Sequence, residues 1–184
     1  MKSLIITAHP EKWWTTHLIA QTYAEQQEKN WNQVEIIDLY NTDLNLDFFS
    51  FTNKNNEKNI SIRQSKILEA DELVFAFPVR WWESPAIFKN WFENILSAWF
   101  AFEYQNNRPV WLLNKKAKMF LTCDWPKIFF SIFPISIKYF WKYMRLEFCG
   151  IKLTDFVLFD LMRIRKKKSG RENKIIQKVQ KIAK

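Results

Sequence analysis

The stretch Glu72-Leu73-Val74-Phe75-Ala76-Phe77-Pro78, followed after a short loop by Ser84-Pro85-Ala86-Ile87-Phe88-Lys89-Asn90-Trp91-Phe92, decides the fold. Residues 72–77 are a nearly continuous apolar run, the pattern of a parallel strand buried on both faces, and Pro78 ends it because it has no N–H for a neighbouring strand. Ser84 and Pro85 are expected to open a helix, serine by capping free N–H groups and proline because its fixed φ suits the first turn. The helix is predicted from Ala86 to about Ser97, with Ile87, Trp91 and Ile95 beside Phe88 and Phe92 at the spacing of a helix packed on a sheet.

The same alternation extends outward in both directions. Upstream, Leu4-Ile5-Ile6-Thr7-Ala8 reads as a buried strand, followed by a polar turn and a helical pattern through Leu18, Ile19, Thr22 and Tyr23. Val34 to Leu39 reads as a second strand, Asn41 to Asn59 as a long polar loop, and Ile60 to Ala70 as a helix. Downstream, Lys118 to Thr122 and Phe156 to Phe159 are predicted strands, and Ile175, Ile176, Val179 and Ile182 mark a last amphipathic helix. Strands alternating with helices give an α/β fold with a parallel sheet, and 184 residues suit a single domain, residues 1–184. In such a sheet a ligand sits beyond the carboxyl ends of the strands, where strand order reverses. The segments Ala8 to Thr16, Pro78 to Ser84 and Thr122 to Pro126 are therefore the candidate site.

Composition narrows the chemistry. Only two glycines occur, Gly150 and Gly170, which excludes a glycine-rich dinucleotide fingerprint or a Walker-type phosphate loop. From Arg163 to Lys184 ten Lys/Arg face one Glu, whereas residues 1–162 carry eighteen charges of each sign. The basicity belongs to a tail, 163–184, so the body is no nucleic-acid platform, while the tail could touch phosphates or anionic lipid. Cys123 and Cys149 form no metal-binding spacing, and His9 and His17 are too few for a metal centre, so no metal is expected and a reduced, cytoplasmic setting is. The most apolar stretch, Ile128 to Phe140, is broken by Pro134 and Lys138 and is too short to span a bilayer.

Each candidate loop has two readings. Ala8-His9-Pro10-Glu11-Lys12-Trp13-Trp14-Thr15-Thr16-His17 gathers hydroxyls and imidazoles at the positive end of a helix, a suitable place for phosphate; in the structural reading Thr15 or Thr16 caps the helix and His17 lies on its surface. Pro78-Val79-Arg80-Trp81-Trp82-Glu83-Ser84-Pro85 sets two indoles and several backbone amides at a strand end, which suits a planar electron-poor ring or, equally, core and dimer packing.

Together these segments, with Phe100-Ala101-Phe102-Glu103-Tyr104 and Leu146-Glu147-Phe148-Cys149-Gly150-Ile151, resemble the flavodoxin-like NAD(P)H dehydrogenase (quinone) family over Lys2 to about Ile151. The resemblance implies an open parallel five-stranded sheet with helices on both faces. It also implies a homodimer that binds FAD or FMN and passes hydride from NAD(P)H to quinone-like acceptors by ping-pong exchange. His9, Thr15, Thr16 and His17 would hold the phosphate or ribityl end of the flavin. Pro78, Val79, Arg80, Trp81 and Trp82 would line the ring, donating backbone amides to its atoms, and Thr122, Cys123, Asp124 and Trp125 would also contact the cofactor.

The chain departs from that family at three places. Trp14 stands where the family has a serine, and Thr122-Cys123-Asp124-Trp125-Pro126 stands for Thr-Thr-Gly-Gly-Pro. Lys127 to Tyr143 carries no clear counterpart of the family's catalytic Tyr and His, so no catalytic residue is assigned. Alternative readings are an electron carrier without NAD(P)H activity, and a binding or regulatory subunit of a membrane transporter such as a potassium efflux system, its basic tail making a peripheral membrane contact.

Overall fold

The computed structural model describes residues 1–12, 14–43, 46–50, 57–132, 137–162 and 170–184. The strands are β1 (Lys2–Thr7), β2 (Gln33–Asp38), β3 (Glu72–Pro78), β4 (Phe102–Gln105), β5 (Arg108–Trp111), β6 (Lys115–Thr122) and β7 (Ile151–Phe159). The helices are α1 (Thr15–Lys29), α2 (Glu57–Glu69), α3 (Ala86–Ile95), α4 (Lys127–Ile132), α5 (Ile137–Tyr139) and α6 (Arg171–Ile182). After α5 the chain continues through a π-helical segment, Phe140–Leu146, and a 3-10 turn, Glu147–Cys149.

Five strands form the expected open parallel sheet in the order β2-β1-β3-β6-β7, with the order reversing between β1 and β3. Strand periodicity sorts side chains to two cores. Leu4, Ile6, Leu73, Phe75, Phe77, Met119 and Leu121 pack with Phe88 and Trp91 of α3 on one face. Ile5, Val74 and Phe120 pack with Ile19 and Tyr23 of α1 and Ile175 and Val179 of α6 on the other. As the spacing requires, Lys174, Lys178, Lys181 and Lys184 are exposed. Side chains also tie down the carbonyls at the end of α6: Gln27 donates to Ala183 at 2.6 Å and Lys118 to Ile182 at 3.0 Å. The 163–168 basic run, and with it the contact expected of the tail, lies outside the described residues.

Several boundaries differ from the sequence reading. β7 starts at Ile151 rather than Phe156 because the register shifts near Ala117/Lys118, where Leu153 and Asp155 become successive partners. The extra residue, Thr154, donates to the Ala117 carbonyl at 3.1 Å. Ile151 and Leu153 before the shift and Phe156 and Leu158 after it therefore face the same core, which breaks the simple alternation. The antiparallel hairpin β4–β5 was not anticipated; its turn, Asn106-Asn107, has φ 51° and 61°, which asparagine tolerates. α2 begins at Glu57, inside the expected loop, and α3 ends at Ile95. Pro85, not Ser84, occupies the start of α3, and Ser84 Oγ is buried with no hydrogen-bond partner among the described residues rather than serving as a cap.

Candidate active site

The carboxyl ends of β1, β3 and β6 enclose a cavity of about 280 Å³, just below the ~300–1,000 Å³ of ligand pockets. His9, Pro10, Glu11, Trp14 and Thr15 line it from the first loop, Pro78, Val79 and Arg80 from the second, and Thr122, Cys123 and Asp124 from the third. Met162, after β7, closes the far wall. Eight of the thirteen residues expected at the site thus meet in one cleft, at the point where strand order reverses. Applying the strand-end rule to β7 would have found Met162.

α1 begins without a side-chain cap, because Trp14 occupies the capping position with φ −85° and ψ 157° and an indole has no acceptor to offer. The positive end of the helix therefore opens beside Thr15 in the cleft, as an anion site requires. Neither threonine caps α1: Thr16 is buried, its hydroxyl 3.4 Å from that of Thr122, linking the first loop to β6. His17 is also buried rather than on the surface, and its Nε2 donates to the His9 carbonyl at 3.0 Å. These two residues brace the cleft from beneath instead of lining it. Trp14 stacks on His9 with ring centroids 5.2 Å apart, and His9 Nδ1 accepts the Glu11 amide at 3.0 Å. Burial lowers the His9 pKa below 6.5; the Glu11 carbonyl opposes this shift, while Arg80 and His17 add to it.

The second loop folds into a two-residue turn. Arg80 and Glu83 exchange backbone hydrogen bonds at 2.8 and 2.9 Å, with Trp81 at φ 50° and Trp82 at φ 64°. Two bulky residues in the left-handed region are a strained arrangement. The Val79 amide donates to the Thr122 carbonyl at 2.7 Å, and Ser84 N donates to Glu83 Oε1 at 2.7 Å. The amides of Val79 and Arg80, expected to serve a ring, are thus engaged within the protein. Trp81 is 98% exposed and Trp82 packs on Phe130 at 4.4 Å, so neither indole lines the cleft. Glu83 is gripped by Arg145, whose Nη1 donates to Oε1 at 2.8 Å and whose Nη2 donates to Oε2. Arg145 carries no sequence signal of this role, because 62 residues separate it from its partner.

In the third loop Cys123 N donates to the Phe159 carbonyl at 2.9 Å and Met162 N to the Cys123 carbonyl at 3.0 Å, stitching β6 to the chain after β7. Burial pushes the Cys123 thiol up to about 11, which makes it a poor nucleophile. Trp125 is exposed against Phe129 and does not line the cleft, contrary to the expectation that it would contact the cofactor. The cleft carries charges of both signs, Arg80 against Glu11 and Asp124. Its donor set, with the uncapped start of α1 beside a threonine and a histidine, suits the phosphate of a flavin. Among the described residues no group of three metal-ligating side chains occurs, and no helix is long and apolar enough to cross a membrane.

The family described as having a flavodoxin-like fold matches residues 1–183, and the chain belongs to it. It is 30% identical over 168 residues to an uncharacterized NAD(P)H oxidoreductase of Haemophilus influenzae, covering 86% of this chain and 83% of the relative. It is 28% identical over 185 residues to NAD(P)H dehydrogenase [quinone] 1 of Cavia porcellus, covering 84% of this chain and 66% of the relative. The resemblance read from the three loops is borne out by these relatives. In fold the chain matches an FMN-dependent NADH-azoreductase from Bacillus anthracis, solved in complex with FMN, with a TM-score of 0.77 over 99% of this chain and 97% of that one at 20% identity.

Proposed function

We propose that this chain is an NAD(P)H-dependent flavin oxidoreductase that reduces quinone-like acceptors, working as a homodimer with FMN or FAD in the cleft described above. The observation that carries the reading is the convergence of the three loops at the switch point between β1 and β3, with the start of α1 uncapped beside Thr15. A bound flavin supplies the exchange of a hydride between nicotinamide and acceptor. The protein contributes binding and orientation. Thr15 and the first-turn N–H groups of α1 would hold the phosphate. His9, kept neutral by burial and fixed by the Glu11 amide, would shape the wall with Trp14 stacked on it. Arg80 would offset the negative charge that Asp124 and Glu11 set around a reduced ring.

A flavin that fills the cavity of about 280 Å³ leaves donor and acceptor to use its one open face in turn, which supports ping-pong exchange. The exposed Trp81 at the rim supports a second copy of the chain as the missing wall. The test is the visible absorbance of the purified protein with FMN or FAD added, then NADPH, then a quinone. Bound flavin bleached by NADPH and recoloured by quinone is the expected result. Flavin that binds but is not reduced would mark an electron carrier, and failure to bind either flavin would overturn the site. A 22.4 kDa particle in light scattering would overturn the homodimer.

A further inference from the structure

Away from the cleft, on the face of the sheet covered by α2 and α3, a second cavity of about 60 Å³ lies between these helices and the chain following β2. Arg63 of α2 and Trp91 of α3 both line it. Arg63 is 2% exposed and Trp91 1%, and among the described residues neither Nε and Nη1 of Arg63 nor Nε1 of Trp91 has a hydrogen-bond partner. The remaining wall includes Leu39, Thr42, Leu46 and Ile87, and among the described residues no carboxylate lines the cavity. Asn90 also borders it, but its amide donates to the Leu46 carbonyl at 3.1 Å and its oxygen accepts the Phe49 amide at 3.1 Å.

Two residues that line one cavity thus carry three buried N–H donors and one positive charge, with no counter-charge beside them among the described residues. Burial pushes the Arg63 guanidinium down only to about 10, so it stays charged at neutral pH. A charge held out of water without a partner is among the costliest features a fold can carry, and water alone would satisfy the N–H groups while leaving the charge unbalanced. An anion does both. A cavity of about 60 Å³ has room for a small ion.

We infer that this cavity is a binding site for a small monovalent inorganic anion, chloride, held by the Arg63 guanidinium and the Trp91 indole N–H. The ion joins α2 to α3 and lies under the 46–49 loop that Asn90 pins, so it acts on the anchoring of α3. The site is independent of the assignment of the flavin cleft.

The experiment measures Tm of the full chain in sodium chloride and in sodium gluconate at equal ionic strength, for the wild type and for Arg63→Met. Chloride about a hundredfold above its dissociation constant should raise the wild-type Tm by roughly 5–10 °C over gluconate, and Arg63→Met should abolish the difference. Crystals of the wild type grown with bromide should give an anomalous peak beside Arg63, a readout that holds even if the variant does not fold. Equal wild-type Tm in the two salts, a chloride effect that persists in Arg63→Met, or water without anomalous signal in the cavity would each overturn the assignment.

Discussion

Arg145→Met tests whether a distant side chain holds the turn at the cleft rim. The Arg145 guanidinium grips both oxygens of Glu83 while lying 4.6 Å over the Phe140 ring and 4.3 Å over the Trp141 ring. Its side chain is 11% exposed and that of Glu83 33%, so loss of the arginine leaves a carboxylate that water reaches only in part. Hydrogen bonds to charged groups contribute about 1.5–3 kcal/mol each, and partial rehydration of Glu83 brings the expected loss for the pair to about 3 kcal/mol. Methionine keeps most of the stem packed on the two rings, so the loss isolates the fork. For a chain of this length about 3 kcal/mol lowers Tm by roughly 6–12 °C, which thermal unfolding followed by circular dichroism measures. Arg145→Lys should recover less than half, because an ammonium cannot bond both oxygens in the same geometry. The freed turn should also weaken flavin binding, read by titration. A fall under about 2 °C with unchanged flavin affinity would refute the reasoning.

Other consequences are equally direct. Gly150→Ala should cost at least about 4 kcal/mol in urea unfolding and depress soluble yield, since Gly150 has φ +75° and an added Cβ would fall 1.8 Å from the Leu113 carbonyl oxygen. The His9 pKa is lowered from 6.5, so the unfolded chain binds more protons than the folded one, and its contribution is present above that value and lost as pH falls toward the folded pKa. Tm should therefore drop between about pH 7 and pH 5 more steeply in the wild type than in His9→Gln. Burial pushes the thiols of Cys123 and Cys149 up to about 11 and about 12, so iodoacetamide at neutral pH should modify neither in the native protein and both after unfolding, as mass spectrometry would show. Trp81→Gly should raise the stability of the chain diluted to the monomer by about 1 kcal/mol through relief of left-handed strain, and should lower it at concentrations where a second copy covers the indole.

The sheet was legible because burial on both faces writes continuous apolar runs, and the helices because Phe88, Trp91 and Ile95 must share one side of α3. The cleft was legible because parallel topology fixes where strand ends meet, whatever residues occupy them. What stayed hidden depends on contacts between residues remote in sequence or on backbone geometry. Thr154 reads as a polar break in a strand until the register shift explains it. Asn106-Asn107 marks a hairpin turn, yet Phe102 to Trp111 alternates too weakly to be read as two strands. Trp81, Trp82 and Trp125 looked like a pocket lining because aromatic residues at strand ends favour that reading, but the turn geometry points the first pair outward. Arg63 lies between Ile60 and Ile67 on the apolar stripe of α2, where its charged head group argues against the burial that the spacing implies.

The poverty in glycine explains much of how this site is built. A chain that brings backbone close to a cofactor normally uses glycine where φ must be positive. This one has two glycines, neither of which lines the cleft, and among the described residues it reaches positive φ at Trp31, Trp81, Trp82, Trp99, Asn106, Asn107 and Leu161 as well. Only the two asparagines are residues that tolerate this region well. The pair at Trp81-Trp82 is the only adjacent tryptophan pair among them and borders Arg80, a cleft residue. Such a turn persists only where the surroundings over-determine it, and here they do: two backbone bonds close it, Glu83 receives both the Ser84 amide and the Arg145 fork, and Val79 is tied to Thr122 on the next strand. The rim of the cleft is thus rigid by cross-linking rather than by permissive residues, and its shape depends on side chains as distant in sequence as Arg145.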